Sequence, residues 1–172
     1  MDWLRAIWVA IYEFFVDYGM EMLTGTREHM VLVILGVLAA AAIGVPLGIV
    51  LARCPWDWVV KLVLGIVNIF QPIPSLALVS FAYVLLGPVL NALGFSAMGL
   101  VMGLIPLVVY ALLPILRNTF TGIRQVDATV IEVARGMGMK PWQVLTRIQL
   151  PLALPFIMTG LRIATVWTVG AA

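Results

Sequence analysis

Long uncharged apolar runs alternate along this chain with short stretches that hold nearly all of its charge. From Met30 to Ala52 no side chain is charged, and at about 1.5 Å per residue those 23 residues reach about 34 Å. A hydrocarbon core is about 30 Å thick, so the run predicts a membrane-spanning helix. The next uncharged run, Leu62 to Leu116, has 55 residues, too long for one helix of about 20 and too short for three with turns. It predicts two spans, joined by a turn between Gly87-Pro88 and Gly94, where Asn91 and two glycines interrupt the apolar pattern. Leu152 to Ala172 holds a single charge, Arg162, and predicts a fourth span. Spans of about 30–52, 71–90, 98–116 and 152–172 make residues 30–172 an all-α integral membrane domain.

The first 29 residues follow a different pattern. Trp3, Ile7, Ala10, Ile11, Phe14 and Tyr18 supply an apolar, aromatic side, while Glu13, Asp17 and Glu21 recur every four residues and form one stripe of a helix. As a span, this segment would carry acids toward mid-membrane at roughly 2.5 to 3.5 kcal/mol each. Residues 1–29 therefore predict an amphipathic helix in the membrane interface, with the acids as its solvated face.

Composition narrows the chemistry. The chain is 63% apolar and 10% charged, with a mean hydropathy of +1.13, against about 25% charged residues in a soluble domain. One cysteine, Cys54, and one histidine, His29, exclude an internal disulfide, a multi-cysteine metal or cluster site, a zinc quartet and an HExxH metalloprotease. With no Asp, Glu, His or Cys inside the four spans, an intramembrane enzyme is disfavoured. The opening Met-Asp-Trp-Leu-Arg has no basic n-region or cleavage site, so the N-terminus is taken as mature sequence. Arg53 and Lys61 flank the first connection, and Arg117, Arg124, Arg135, Lys140 and Arg147 crowd the stretch before the last span. The positive-inside rule puts both regions in the cytoplasm and the N-terminus, with its excess of acids, outside.

Within the spans, Gly36, Ala40, Gly44 and Gly48 recur every four residues and form a small-residue face for close helix packing, within the chain or against another subunit. Pro46, Pro106 and Pro114 predict kinks. The segment Asn68 to Ser75 combines two prolines with polar side chains, and broken backbone at membrane depth is tolerated only where it is buried or lines a wet cavity. Gln71 and Ser75 are pathway candidates on that ground, unless Val59 to Phe70 is an approach helix at the membrane surface and Pro72 and Pro74 open the second span. Arg162, the one charge within a span, either faces a cavity or partner or snorkels to the cytoplasmic surface.

The cytoplasmic stretch 118–149 is far longer than the usual bundle connection of about 2 to 8 residues, so it should have structure of its own. Asp127 can cap a short helix, Gly136 and Gly138 can stop it, and Pro141 can open the next. Apolar Val130, Val133, Ala134 and Met137 suit either a groove on a soluble partner or the membrane surface. A P-loop needs GxxxxGK[ST]; the only lysines, Lys61 and Lys140, follow Val60 and Met139, so this chain does not cradle ATP phosphates in that way.

Glu132-Val133-Ala134, three residues, Gly138, nine residues, then Ile148-Gln149-Leu150-Pro151 resembles the EAA motif of the membrane subunits of bacterial ABC importers, with Val133 in place of the first alanine. Residues 71–78, 112–123, 134–139 and 150–155 further resemble the permeases of osmoprotectant importers, the glycine betaine, carnitine and choline group. The resemblance implies a type I importer fold and a multi-pass subunit of the bacterial cytoplasmic (inner) membrane. It implies no catalysis or cofactor in this chain, with ATP and Mg on a separate cytoplasmic ATPase. Its implied partners are that ATPase, a second permease copy (identical or a paralogue), an extracytoplasmic substrate-binding protein and membrane lipid, but no nucleic acid. By residue match, Glu132, Ala134 and Gly138, with Val133, Ile148, Leu150 and Pro151, form the ATPase-coupling element. Family members continue past the position of Ala172, so the resemblance leads one to expect a C-terminal truncation here, and four spans alone are not expected to close a pathway. Importers of methionine or another small solute share the motif, and a non-transporting membrane scaffold is the reading from a different class.

Overall fold

The computed structural model describes residues 2–70, 75–94 and 100–171. Among these, every regular element is helical: α1 (Asp2–Ala52), α2 (Asp57–Phe70), α3 (Ser75–Ala92), α4 (Leu100–Arg124), α5 (Ala128–Gly136), α6 (Pro141–Val144), a π-helical turn (Leu145–Gln149) and α7 (Leu150–Ala171). The Trp3–Ala52, Met102–Arg124 and Pro141–Ala171 stretches are long and apolar enough to cross a membrane, and Ala77–Ala92 is a shorter apolar helix.

The core is the seam where α4 packs between α1 and α7. Ala40, Ala111, Ile115 and Ala164 form one buried cluster; Ile123, Ala153 and Ile157 form a second. Small residues set the spacing, because apolar side chains gain little by leaving lipid and the helices must hold by close van der Waals contact. The expected small-residue face of the first span lies against α4: a Cβ on Gly36 would sit 3.2 Å from Leu107 Cβ, on Gly44 3.1 Å from Ile115 Cγ2, and on Gly48 2.8 Å from Thr119 Cβ. Ala40, in the same row, is fully buried. The contact is thus within the chain. Gly160 of α7 repeats the device against α4, where a Cβ would come within 2.8 Å of the Pro114 carbonyl oxygen.

Three expectations change. No break separates residues 1–29 from the first span: α1 is one helix of 51 residues, about 76 Å long at 1.5 Å per residue. Nothing upstream of Pro46 interrupts it, because Gly19 and Gly25 are single glycines, each costing only about 1 kcal/mol against Ala. Every position from residue 3 to 28 except Gly19 is exposed, whereas beyond Val33 one side of the helix is buried.

Second, the expected turn falls at the far end of the stretch from Gly87-Pro88 to Gly94, so the second apolar helix runs on past its expected end at 90. Pro88 lies inside α3, and the turn comes at Leu93-Gly94, where Gly94 has a φ of 82°. A proline removes one backbone bond and can be carried within a helix among apolar neighbours, whereas positive φ suits glycine and stops the helix. The helices likewise run through Pro46, Pro106, Pro114 and Pro155. One turn further on, side chains add bonds to the prolines' own carbonyls: Asn118 Nδ2 donates to Pro114 O at 2.8 Å and Thr159 Oγ1 to Pro155 O at 2.8 Å. Third, α4 runs beyond its expected end at residue 116 to Arg124, and on the other side the helix that opens at Pro141, as expected, passes through the π turn into α7 without a gap.

Candidate functional site

The basic end of the bundle carries the elements that leave it. At Arg124 the α4 helix ends, its guanidinium over the Phe120 ring (5.3 Å to the centroid) and 3.6 Å from Asp57 Oδ1 at the start of α2. Asp127 then caps α5, its Oδ1 accepting from the Thr129 N–H at 2.8 Å. Such a cap satisfies one of the orphan donors of a helix N-terminus and stabilises it by about 1 kcal/mol.

The other end of α5 closes on glycine. Gly138 has a φ of 84°, its N–H donates to Arg135 O at 2.9 Å, and the Met139 N–H donates to Ala134 O at 3.1 Å. This paired closure with a left-handed residue is the Schellman motif, and only glycine enters that conformation without strain. A Cβ at Gly138 would meet no atom within 4 Å, so the backbone angle, not space, is what requires glycine. Lys140 is extended, as a residue before proline must be, and Pro141 opens α6. The Gln143 side chain accepts from the Lys140 N–H at 2.8 Å and fixes the entry angle.

Helix α5 buries Ala134 and half-buries Ile131, whereas Val133 is 56% exposed, Met137 at its C-cap 70%, and the following Trp142 63%. Glu132 is exposed and makes no ion pair or hydrogen bond among the described residues. Ile148 and Leu150 are half-buried where the π turn passes into α7, and Pro151 is exposed. The Leu150 N–H reaches back to Leu145 O. Such a widened turn relieves the clash of a proline ring with the preceding carbonyls, and Pro151 follows immediately. The EAA-like residues therefore occupy one continuous assembly, with α5 capped at both ends, α6, the π turn and the start of α7.

Between the end of α1 and this assembly lies a cleft of about 330 Å³, with Arg53 and Ala52 on one wall and Ile131, Arg135, Pro141, Val144 and Gln149 on the others. Arg53 Nη2 donates to Pro141 O at 3.1 Å across 88 positions of sequence. The sequence showed Arg53 only as one positive charge in a count. Its tie to the α6 entry is a long-range contact that no local spacing encodes.

The intramembrane candidates are more dispersed. Gln71 lies outside the described residues, and Ser75 is the first residue of α3. Arg162 is exposed on α7, on the side opposite the buried row Ala153, Ile157, Gly160, Ala164 and Thr168.

Residues 44–172 match the family described as binding-protein-dependent transport system inner membrane component. Carnitine transport permease protein OpuCB of Listeria monocytogenes is 39% identical over 95% of this chain and 69% of its own length. Choline transport system permease protein OpuBB of Bacillus subtilis is 39% identical over 94% of this chain and 69% of its own length. A chain from the MetNI methionine ABC transporter, solved in inward facing conformations, matches with a TM-score of 0.76 at 25% identity, over 90% of this chain and 73% of that one. Sequence and fold converge on one kind of molecule, and the chain belongs to the family of binding-protein-dependent transport system inner membrane components, with the fold of a type I ABC importer permease.

Proposed function

We propose that this chain is the membrane-spanning subunit of an ATP-driven importer for compatible solutes of the glycine betaine, carnitine and choline class. The observation that carries the coupling role is α5, capped at both ends and presenting Val133 and Met137 outward beside Glu132. A short rigid helix with an exposed apolar face is suited to a groove on a soluble protein, here the ATPase. Closure of the ATPase dimer moves that helix, and the shift biases the permease between inward-open and outward-open states. The solute class rests on the relatives that carry carnitine and choline in their names. The basic end of the bundle, including Cys54, faces the cytoplasm, and the start of α1 faces outward.

Arg162 points away from the chain's own core, which suits a second permease copy or a wet pathway, since a charge within a span is costly against lipid. Gln71 and Ser75 remain pathway candidates by their place in the sequence.

Cells carrying the complete system under osmotic stress should take up labelled glycine betaine, choline or carnitine faster than cells lacking it. The structural match to a methionine transporter gives the second reading its observation, so methionine uptake is measured alongside. Methionine uptake without any quaternary amine would replace the solute assignment; no uptake of either would return the scaffold reading. Cys54 tests topology: a membrane-impermeant thiol reagent should label it only after the membrane is opened.

A further inference from the structure

The cleft between α1 and the coupling assembly has an uneven chemistry. Its two charged walls are both guanidinium, Arg53 and Arg135, and Gln149 adds an amide. Among the described residues no carboxylate lines it. Asp127, whose Oδ1 caps α5 at the Thr129 N–H, and Glu132 both lie off the lining. Arg53 uses Nη2 on the Pro141 carbonyl, which anchors its planar fork beside the cleft, and among the described residues its other N–H groups make no further bond and Arg135 meets no carboxylate. Two guanidinium groups sharing a cavity repel one another unless an anion lies between them.

The depth of the cleft points to which anion. Ala52 closes the uncharged run of α1, and Arg53 is the first charge after it. Trp56 and Trp58 are exposed just beyond, and Trp142 is exposed on the α6 side. Tryptophans gathered where an apolar helix meets its first charge mark the headgroup layer of a membrane. A basic pocket between helices at that level suits a phosphate head group, which guanidinium binds through paired N–H···O bonds.

We propose that this cleft binds the phosphate of an anionic phospholipid, and that the bound phosphate joins the end of α1, through Arg53, to helix α5, through Arg135. The proposal rests on reading this end of the bundle as facing the cytoplasmic leaflet. The occupied site couples the lipid surface to the position of the coupling helix.

The test uses the complete permease assembled with its ATPase. The complex is purified in mixed phosphatidylcholine and phosphatidylglycerol nanodiscs, and retained lipid is read by native mass spectrometry. Phosphatidylglycerol should be enriched over phosphatidylcholine, and the Arg53→Gln, Arg135→Gln double variant should lower that enrichment at least about tenfold, the scale of even one of the two lost charge-assisted contacts. Arg147→Gln, an exposed charge outside the cleft, controls for the general charge of the surface. Arg53→Lys should fall between, because it keeps the charge and loses the fork. Variants are compared only after matching elution and thermal unfolding; if the double variant fails this check, each single Arg→Gln replaces it.

Equal enrichment in the cleft variants and the wild type would overturn the site. Displacement of the lipid by millimolar inorganic phosphate, with phosphate retained equally in pure phosphatidylcholine, would assign it to a soluble phosphate instead. Lipid bound to the permease alone but expelled on ATPase assembly would assign the guanidinium groups to an acidic side chain of that partner. Lipid retention is read without transport, so a wrong solute assignment leaves this result intact.

Discussion

Glycine does different work in the intramembrane seam and in the turn between α5 and α6. In the seam it supplies absence: Gly160 lies so close to α4 that any Cβ would stand 2.8 Å from both Pro114 O and Asn118 Cβ. In the turn it supplies an angle: Gly138 has open space around it but a φ of 84°. The first requirement is steric and belongs to the fold, and the second is conformational and belongs to a surface element that can deform without unpacking the bundle. Substitution of each glycine should therefore fail in a different measurement.

The largest effect is expected at the seam. A side chain at Gly160 meets a backbone carbonyl, which cannot rotate aside, so Gly160→Val should force α7 from α4 and cost about 1 to 3 kcal/mol or more. The full-length permease should show reduced membrane accumulation and a lower unfolding temperature, with transport lost as a consequence. Normal accumulation and stability would mean that α4 and α7 are not in close register.

At Gly138 the order reverses. A β-branched residue in a left-handed turn costs about 1 to 2 kcal/mol locally and redirects α6, yet nothing in the bundle core touches it. Gly138→Val should reach the membrane at wild-type levels and lose uptake, with ATPase association weakened or hydrolysis no longer stimulated by the loaded binding protein. Gly138→Ala should show the same defect in weaker form, because alanine strains the turn without branching. Normal coupling in Gly138→Val would remove the mechanical role assigned to the turn.

The turn was more legible in the sequence than the seam partners were. Asp127, Gly138 and Pro141 each act within a few residues, so cap, closure and restart could be written from spacing alone, and the hydrogen bonds that make the cap and the closure are local. The row from Gly36 to Gly48 announced a close contact but not whether α4 or another subunit would fill it, because the answer lies about 70 residues away. Arg53 on Pro141 and Arg124 on Asp57 were invisible for the same reason. The boundary drawn at residue 29 came from a change of composition, and composition does not end a helix; backbone punctuation does, and Gly25 alone is too weak to do so.

The seam holds one polar group without a partner, and it gives a smaller test of the same contact. Thr119 is fully buried against Gly48, and its Oγ1 has no hydrogen-bond partner among the described residues. Replacing an unsatisfied hydroxyl by a methyl of the same shape removes a desolvation cost of about 1 to 3 kcal/mol without opening a cavity. Thr119→Val should unfold at the same temperature as wild type or higher, with uptake retained. Destabilisation would show that the hydroxyl has a partner the seam geometry does not include.

The smallest effect belongs to a glycine that meets neither requirement. Gly25 lies in the exposed part of α1, with ordinary helical backbone and no atom within 4 Å of a Cβ placed on it. Neither steric absence nor an unusual angle is needed there, and alanine is the better helix former by about 1 kcal/mol. Gly25→Ala should leave accumulation, ATPase association and uptake unchanged, while any shift in unfolding temperature is upward. A loss of uptake at normal accumulation would carry a specific meaning. It would show that a surface outside this chain packs on α1 at Gly25 as closely as α4 packs on Gly48, and that the exposed segment from residue 3 to 28 is a contact face in the assembled importer.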